Sequence, residues 1–157
     1  MSFPIWLEIA AREMGQKEIS GINAHNPRIL EYHKTTTLKA TQDEVPWCSS
    51  FVNWCISNSG IEGTNSAAAA SWGGWGASIQ PRVGALVLLR FDTATNPSGA
   101  HVGFVWWTDH DKLIVLGGNQ RDEVNLTSFK RTRVLAYKWP THWAGGLPMN
   151  DLGRKIV

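Results

Sequence analysis

The order of patterns along the chain predicts an α+β fold, with helices first and a small antiparallel sheet after them. Three observations carry this. Up to about residue 72 the chain shows helix-entry signals and apolar stripes. From residue 83 it changes to short β-rich runs separated by turn residues. Helices and strands that segregate in this way make an α+β layout rather than alternating βαβ units. A length of 157 residues with no internal repeat suits one domain.

The elements follow in order. Pro4 fits the first helical position of a helix over 4–14, with Ile5, Ile9 and Ala10 as its stripe and Gly15 as its stop. Asn26-Pro27 is an N-cap followed by a first-turn proline and predicts a short helix over 27–34. The polar run 35–45 reads as a loop. Pro46 then opens a helix over 46–59, ended by Gly60. Its apolar positions Trp47, Phe51, Val52, Trp54, Cys55 and Ile56 cover much of the circumference, so it is expected to be buried on most sides. A further short helix is expected over 66–72, broken by Gly73, Gly74 and Gly76. The strand candidates are 84–91, 101–107, 112–118, 122–127 and 133–139. Residues 1–140 form the expected domain, and 141–157, with Gly145, Gly146, Pro148 and Gly153, an irregular tail on the same domain.

Composition excludes several classes. Hydrophobic residues make up 43% and charged residues 18%, an ordinary globular balance. Net charge is +2 and the Lys130, Arg131, Arg133 stretch lies near Asp122 and Glu123, so no nucleic-acid partner is expected. No run approaches the ~18 apolar residues of a membrane span, so no membrane insertion is expected. The N-terminal stretch carries Glu8 and Glu13 where a signal peptide needs apolar residues, so any extracytoplasmic target requires delivery by another system. No HExxH, paired cysteine ligands or carboxylate-rich loop is present, and neither GxGxxG nor GxxxxGK occurs, so neither metal nor cofactor is expected. Nine tryptophans are unusual and point to thick core packing or to a groove for an extended ligand.

Cys48 and Cys55 are seven apart on one helix, about 10.5 Å along its axis at ~1.5 Å per residue. A disulfide needs Cα atoms within about 7 Å, so both are expected as free thiols. Cys48 sits in the first turn, where free N–H groups and the positive helix end favour a thiolate and can hold an oxyanion. The competing reading is a small buried core residue. Cys55 lies two turns deeper and reads as structural.

Of His25, His33, His101, His110 and His142, His101 stands out, because it opens a strand straight after a Gly-Ala loop. Small neighbours leave room for a thiolate at hydrogen-bond range. The alternative is an ordinary surface histidine at a strand edge. If the 101–107 and 112–119 strands join through an odd-numbered loop centred on His110, Asn119 lies directly opposite His101. It can then hold one imidazole nitrogen and leave the other to the thiol, as in a Cys-His-Asn arrangement. A two-residue turn at Asp109-His110 shifts the register by one and makes Gln120 the candidate instead.

The runs DEVPWCSSFVNWC, AAAASWGGWG, PRVGALVLL, GAHVGFV, LGGNQ and VLAYKWP together resemble the CHAP and NlpC-type cysteine amidases, in particular a compact bacterial and phage branch. The likeness runs over about residues 4–140. It implies a papain-like fold with the nucleophile at the N-terminus of a central helix packed on the sheet. It implies Cys48 as nucleophile, His101 as base and Asn119 as the polar residue orienting it. Many CHAP members carry a glutamate two residues before that asparagine; here the position is Gly117, which favours a triad over a four-residue site. The implied activity is hydrolysis of amide bonds in peptidoglycan.

Trp47, Trp72, Trp75 and Gln120 are candidate substrate contacts, with core packing as the plainer role for the tryptophans. Asp43 and Glu44 either favour the positive helix end or contact substrate or neighbouring N–H groups. Arg82, Arg90 and Arg121 are candidate partners for stem-peptide carboxylates. The expected settings are a secreted antibacterial effector of the type VI kind, with a cognate immunity protein, or a phage lytic enzyme. In both it is made in the cytoplasm and acts in the periplasm or cell wall. Competing readings are a non-catalytic wall-binding domain and a protein-directed transferase or deamidase on the same fold.

Overall fold

A computed structural model describes residues 3–21, 24–43, 45–91 and 99–141. The tail at 142–157, His142 and Glu44 lie outside the described residues. Three helices precede a six-stranded sheet, as expected: α1 (Ile5–Arg12), α2 (Pro27–His33) and α3 (Cys48–Ser57), then β1 (Ala77–Ser78), β2 (Leu86–Arg90), β3 (Ala100–Thr108), β4 (Lys112–Gln120), β5 (Glu123–Lys130) and β6 (Val134–Trp139). The sheet order is β1-β6-β2-β3-β4-β5, every pairing antiparallel. Among the described residues no helix is long and apolar enough to cross a membrane, and no group of His, Cys, Asp and Glu side chains could hold a metal ion.

Helix α1 begins one residue later than expected, with Pro4 as its N-cap. Its buried face is Trp6, Leu7 and Ala10, while Ile5 is exposed. Trp6 turns the helix: its indole N–H donates to Gly84 O at 2.7 Å and its ring meets Trp139 edge-on. In α2, Pro27 follows the Asn26 N-cap, whose side chain accepts the Arg28 N–H at 2.9 Å. This is the arrangement expected of an Asn-Pro helix start.

Helix α3 is the central element. It packs against α1, α2, β3 and β4 and is buried on most sides. Phe51 and Val52 are fully buried on it, and such side chains each contribute about 1.5–3 kcal/mol. Its polar positions are occupied too. Ser49 Oγ donates to Ser66 O at 2.7 Å and accepts the Trp72 indole N–H at 2.9 Å. Asn53 accepts the Asn65 N–H at 3.0 Å and donates to Ser66 O at 3.1 Å. These bonds fasten the following loop to α3. The expected helix over 66–72 is instead a 3-10 helix, Ala69–Gly74, that takes in Gly73 and Gly74. Small residues permit the tighter turn, and buried Trp72 anchors it.

Three of the five expected strands, those that became β3, β4 and β5, were shorter than observed, the other two were longer, and the two-residue β1 was not foreseen. The outer edge of β5 is partly covered. Gly15 N–H donates to Val124 O at 3.0 Å, Val124 N–H to Gln16 O at 2.8 Å and Glu18 N–H to Asp122 O at 2.9 Å. The stretch after α1 thereby straps the β4–β5 hairpin.

Candidate active site

Cys48 is the first residue of α3, with Trp47 as N-cap and Pro46 before it. The Trp47 side chain offers no capping bond, and the first intrahelical bond runs from Phe51 N–H to Trp47 O at 2.9 Å. The N–H groups of the first turn are therefore available to a sulfur or an oxyanion. Burial pushes the Cys48 thiol up. The hydrogen bond and charge of His101, followed by the Val102 and Ser49 amides, outweigh it, and the net displacement is below the ordinary 9.0. His101 moves the opposite way: burial pushes it down, while Cys48 and then Gln120 carry it above 6.5. The two displacements favour a thiolate–imidazolium pair. Cys55 is the contrast. It is a free, buried thiol raised well above 9.0 by burial, with the Glu13 charge adding to it.

The partner on the far side of the imidazole is Gln120, not Asn119. His101 Nε2 lies 3.0 Å from Gln120 Oε1, which leaves Nδ1 for the sulfur. The register explains the difference. The β3–β4 turn pairs Thr108 with Leu113, one step away from a loop centred on His110. An irregularity at Trp106 then restores Phe104 opposite Leu116. Continued along the strand, that pairing brings position 119 across from His101, as a loop centred on His110 would. Asn119, however, has φ 57, a left-handed conformation that breaks the alternation of the strand. The pairing on the other side shifts there too, from Gly117 with Asn125 to Gln120 with Glu123. One extra residue is accommodated as a bulge, and Gln120 swings to the His101 side.

Gly117 makes this possible. A Cβ there would lie 2.6 Å from Gln120 Oε1 and 3.4 Å from His101 Nε2. The volume a side chain at 117 would take is filled by the Gln120 amide. That amide is held at its other end as well: Nε2 faces Asn125 O at 2.8 Å, Asn125 Oδ1 at 2.9 Å and Val115 O at 3.2 Å.

A cleft of about 370 Å³ opens beside the pair, lined by Pro46, Cys48, Phe91, His101, Asn119 and Phe129 among others. Phe91 and Phe129 stand 5.8 and 5.7 Å from the imidazole, centroid to centroid. Apolar walls lower the local dielectric and strengthen the charge pairing between sulfur and ring. Asn119 lies on this wall, half-buried, and Arg121 stands at the rim.

The three candidate tryptophans do not line the cleft. Trp47 is fully buried: it packs on Gly118, and its indole N–H donates to Glu18 Oε1 at 2.9 Å. Trp72 is fully buried beneath its bond to Ser49. Trp75 stacks edge-on against Trp72 and donates to Glu62 O at 2.9 Å. These three tryptophans serve packing. Arg82 lies over the Trp139 ring, so of the three candidate arginines Arg121 alone borders this cleft. Asp43 accepts neighbouring N–H groups, one of the two roles considered for it: Ile19 N–H at 2.9 Å and Asn26 N–H at 2.8 Å.

Sequence reasoning missed Phe91, Phe129, Asn125 and the 15–18 strap. Only the bulge had a signal, since asparagine after two glycines is suited to left-handed backbone. A family model described as CHAP domain matches residues 40–119. Gln120 falls one position beyond that match. Among solved structures, a lipoprotein-like protein of the NLP/P60 family from Staphylococcus aureus subsp. aureus Mu50 is similar at 12% identity and a TM-score of 0.47. That likeness covers 87% of this chain, which spans 40% of the other. No curated protein sequence matches the chain.

Proposed function

The chain belongs to the CHAP family, and from that premise we propose that it is a cysteine amidase or endopeptidase acting on peptidoglycan stem peptides or cross-links. The observation that carries this reading is the continuous line Cys48–His101–Gln120 at an open cleft.

In the proposed mechanism the Cys48 thiolate attacks the scissile carbonyl carbon. The carbonyl oxygen takes the negative charge and is held by N–H groups at the start of α3. The tetrahedral intermediate collapses as His101 gives its proton to the leaving amine, which leaves a thioacyl-enzyme and a neutral imidazole. Water then gives a proton to His101 and attacks the thioester. Collapse of that second intermediate releases the carboxylic acid and restores the thiolate and the imidazolium. Gln120 keeps Nε2 protonated and the ring aligned throughout. It takes the role expected of Asn119, which becomes a wall of the acyl-binding cleft.

The enzyme would work in the periplasm or cell wall, where its substrate lies, as a delivered antibacterial effector or as a phage lytic enzyme. For an effector, the partner would be an immunity protein seated over the cleft. The test is digestion of purified peptidoglycan with wild type and Cys48→Ala, with mass spectrometry of the soluble fragments. Wild type should release fragments with a new amino group and a new carboxyl group, and Cys48→Ala none. Identical fragment profiles from the two proteins would leave a binding domain instead.

A further inference from the structure

Beyond the Cys48–His101–Gln120 line lies a second set of polar groups that the mechanism does not use. Asn125, on β5, meets Gln120 at both ends. Its Oδ1 accepts from Gln120 Nε2 at 2.9 Å, and its Nδ2 donates to Gln120 O at 2.8 Å. Nδ2 also donates to Glu123 Oε1 at 2.8 Å, and Thr127 Oγ1 donates to Asn125 Oδ1 at 2.8 Å.

Donor and acceptor roles can be followed outward from these contacts. A backbone carbonyl and a carboxylate only accept, so the Asn125 end facing Gln120 O and Glu123 must be the NH₂. Its oxygen then faces the Gln120 side chain, whose near end must in turn be NH₂. That leaves Gln120 Oε1 toward His101, which requires a proton on Nε2 and presents Nδ1 to the sulfur. A reversed Gln120 amide would set its oxygen against three acceptors within 3.2 Å: Val115 O, Asn125 O and Asn125 Oδ1.

We propose that Asn125 is a positioning residue of the active site: backed by Glu123 and Thr127, its side chain clamps Gln120 across the β4 bulge and, together with the Val115 and Asn125 carbonyls, holds the amide with its oxygen toward His101. The clamp is needed because the ladder to β5 is interrupted between Gly117 and Gln120, so the backbone leading into Gln120 lacks the regular pairing that holds a strand residue in place. The inference rests on the reading of Cys48 and His101 as the reacting pair, and its test needs no wall substrate.

The test is the pH dependence of Cys48 alkylation by iodoacetamide in the full chain. Asn125→Asp puts a second carboxylate against Glu123 and removes the donor to Gln120 O. Alkylation at neutral pH should fall roughly fivefold to tenfold, as expected for loss of about one net hydrogen bond, and its pH profile should narrow. Adding Glu123→Gln supplies an NH₂ to face the new carboxylate, and the double variant should recover most of the rate. Thr127→Val, which keeps Asn125 but removes its support, should shift the profile in the same direction by less; it carries the test if Asn125→Asp fails to fold. A folded Asn125→Asp with the wild-type pH profile would overturn the proposal. So would a loss that Glu123→Gln does not repair, or, should Asn125→Asp not fold, an unshifted Thr127→Val. If peptidoglycan is not cut but these shifts occur, the substrate reading fails and the clamp stands.

Discussion

Replacing Gln120 by alanine separates the observed site from the one the strand pattern suggests. The variant leaves His101 Nε2–H, in a residue only 6% exposed, without its acceptor at 3.0 Å. A hydrogen bond to a charged group contributes about 1.5–3 kcal/mol. At about 1.4 kcal/mol per decade this corresponds to a fall of roughly 10- to 100-fold in reactivity that depends on the imidazolium. The direction of the pH effect follows from the same contacts. Gln120 raises the His101 pKa, so its loss lowers the pH at which the imidazolium gives up its proton and moves the alkaline limb toward neutrality. The hydrogen bond and charge of His101 are the largest influences lowering the Cys48 pKa, so a weaker imidazolium moves the acid limb up. The active window closes from both sides. Asn119→Gly removes a cleft-wall side chain while keeping the left-handed backbone at φ 57 and the Nε2 bond, so it should cost no more than about twofold in alkylation rate, well under the net effect of one hydrogen bond. The assay is iodoacetamide alkylation against pH, followed by peptidoglycan hydrolysis for the same proteins. A Gln120→Ala protein within twofold of wild type, or an Asn119→Gly protein as impaired as Gln120→Ala is expected to be, refutes the assignment.

Other outcomes follow from the same contacts. In the native protein at neutral pH, iodoacetamide should label Cys48 and leave Cys55 untouched, because one thiol is lowered beside a cleft and the other is raised in the core; peptide mapping that finds both labelled equally would contradict this. Gly117→Ala should keep the fold but lose about tenfold in activity, because the new Cβ displaces Gln120 Oε1, 2.6 Å away; an active variant would mean that the amide does not need that space. Arg121 and Asp122, the two turn residues between Gln120 and Glu123, have φ 54 and 65. Asp122→Gly should therefore raise the unfolding free energy by about 1 kcal/mol, and an unchanged denaturant midpoint would show that the turn carries no strain.

The sequence by itself determined the class of the fold and pointed to the first two residues of the candidate site. Cys48 beside a proline at a helix start, and His101 after a Gly-Ala loop, are local features, and local geometry places them. Short-range signals of the same kind marked α2 and the core strands. What the tertiary structure alone decided is which side chain completes the line. Side-chain direction along a strand depends on an unbroken count of alternation, and here the count is broken twice, at Trp106 and at Asn119. Each break is a backbone response to pairing with neighbouring strands, so it belongs to no short stretch of residues. The tryptophans were decided in the same way. Their number predicted either a groove or a thick core, and partners distant in the chain, Glu18 for Trp47 and Ser49 for Trp72, drew those two indoles inward.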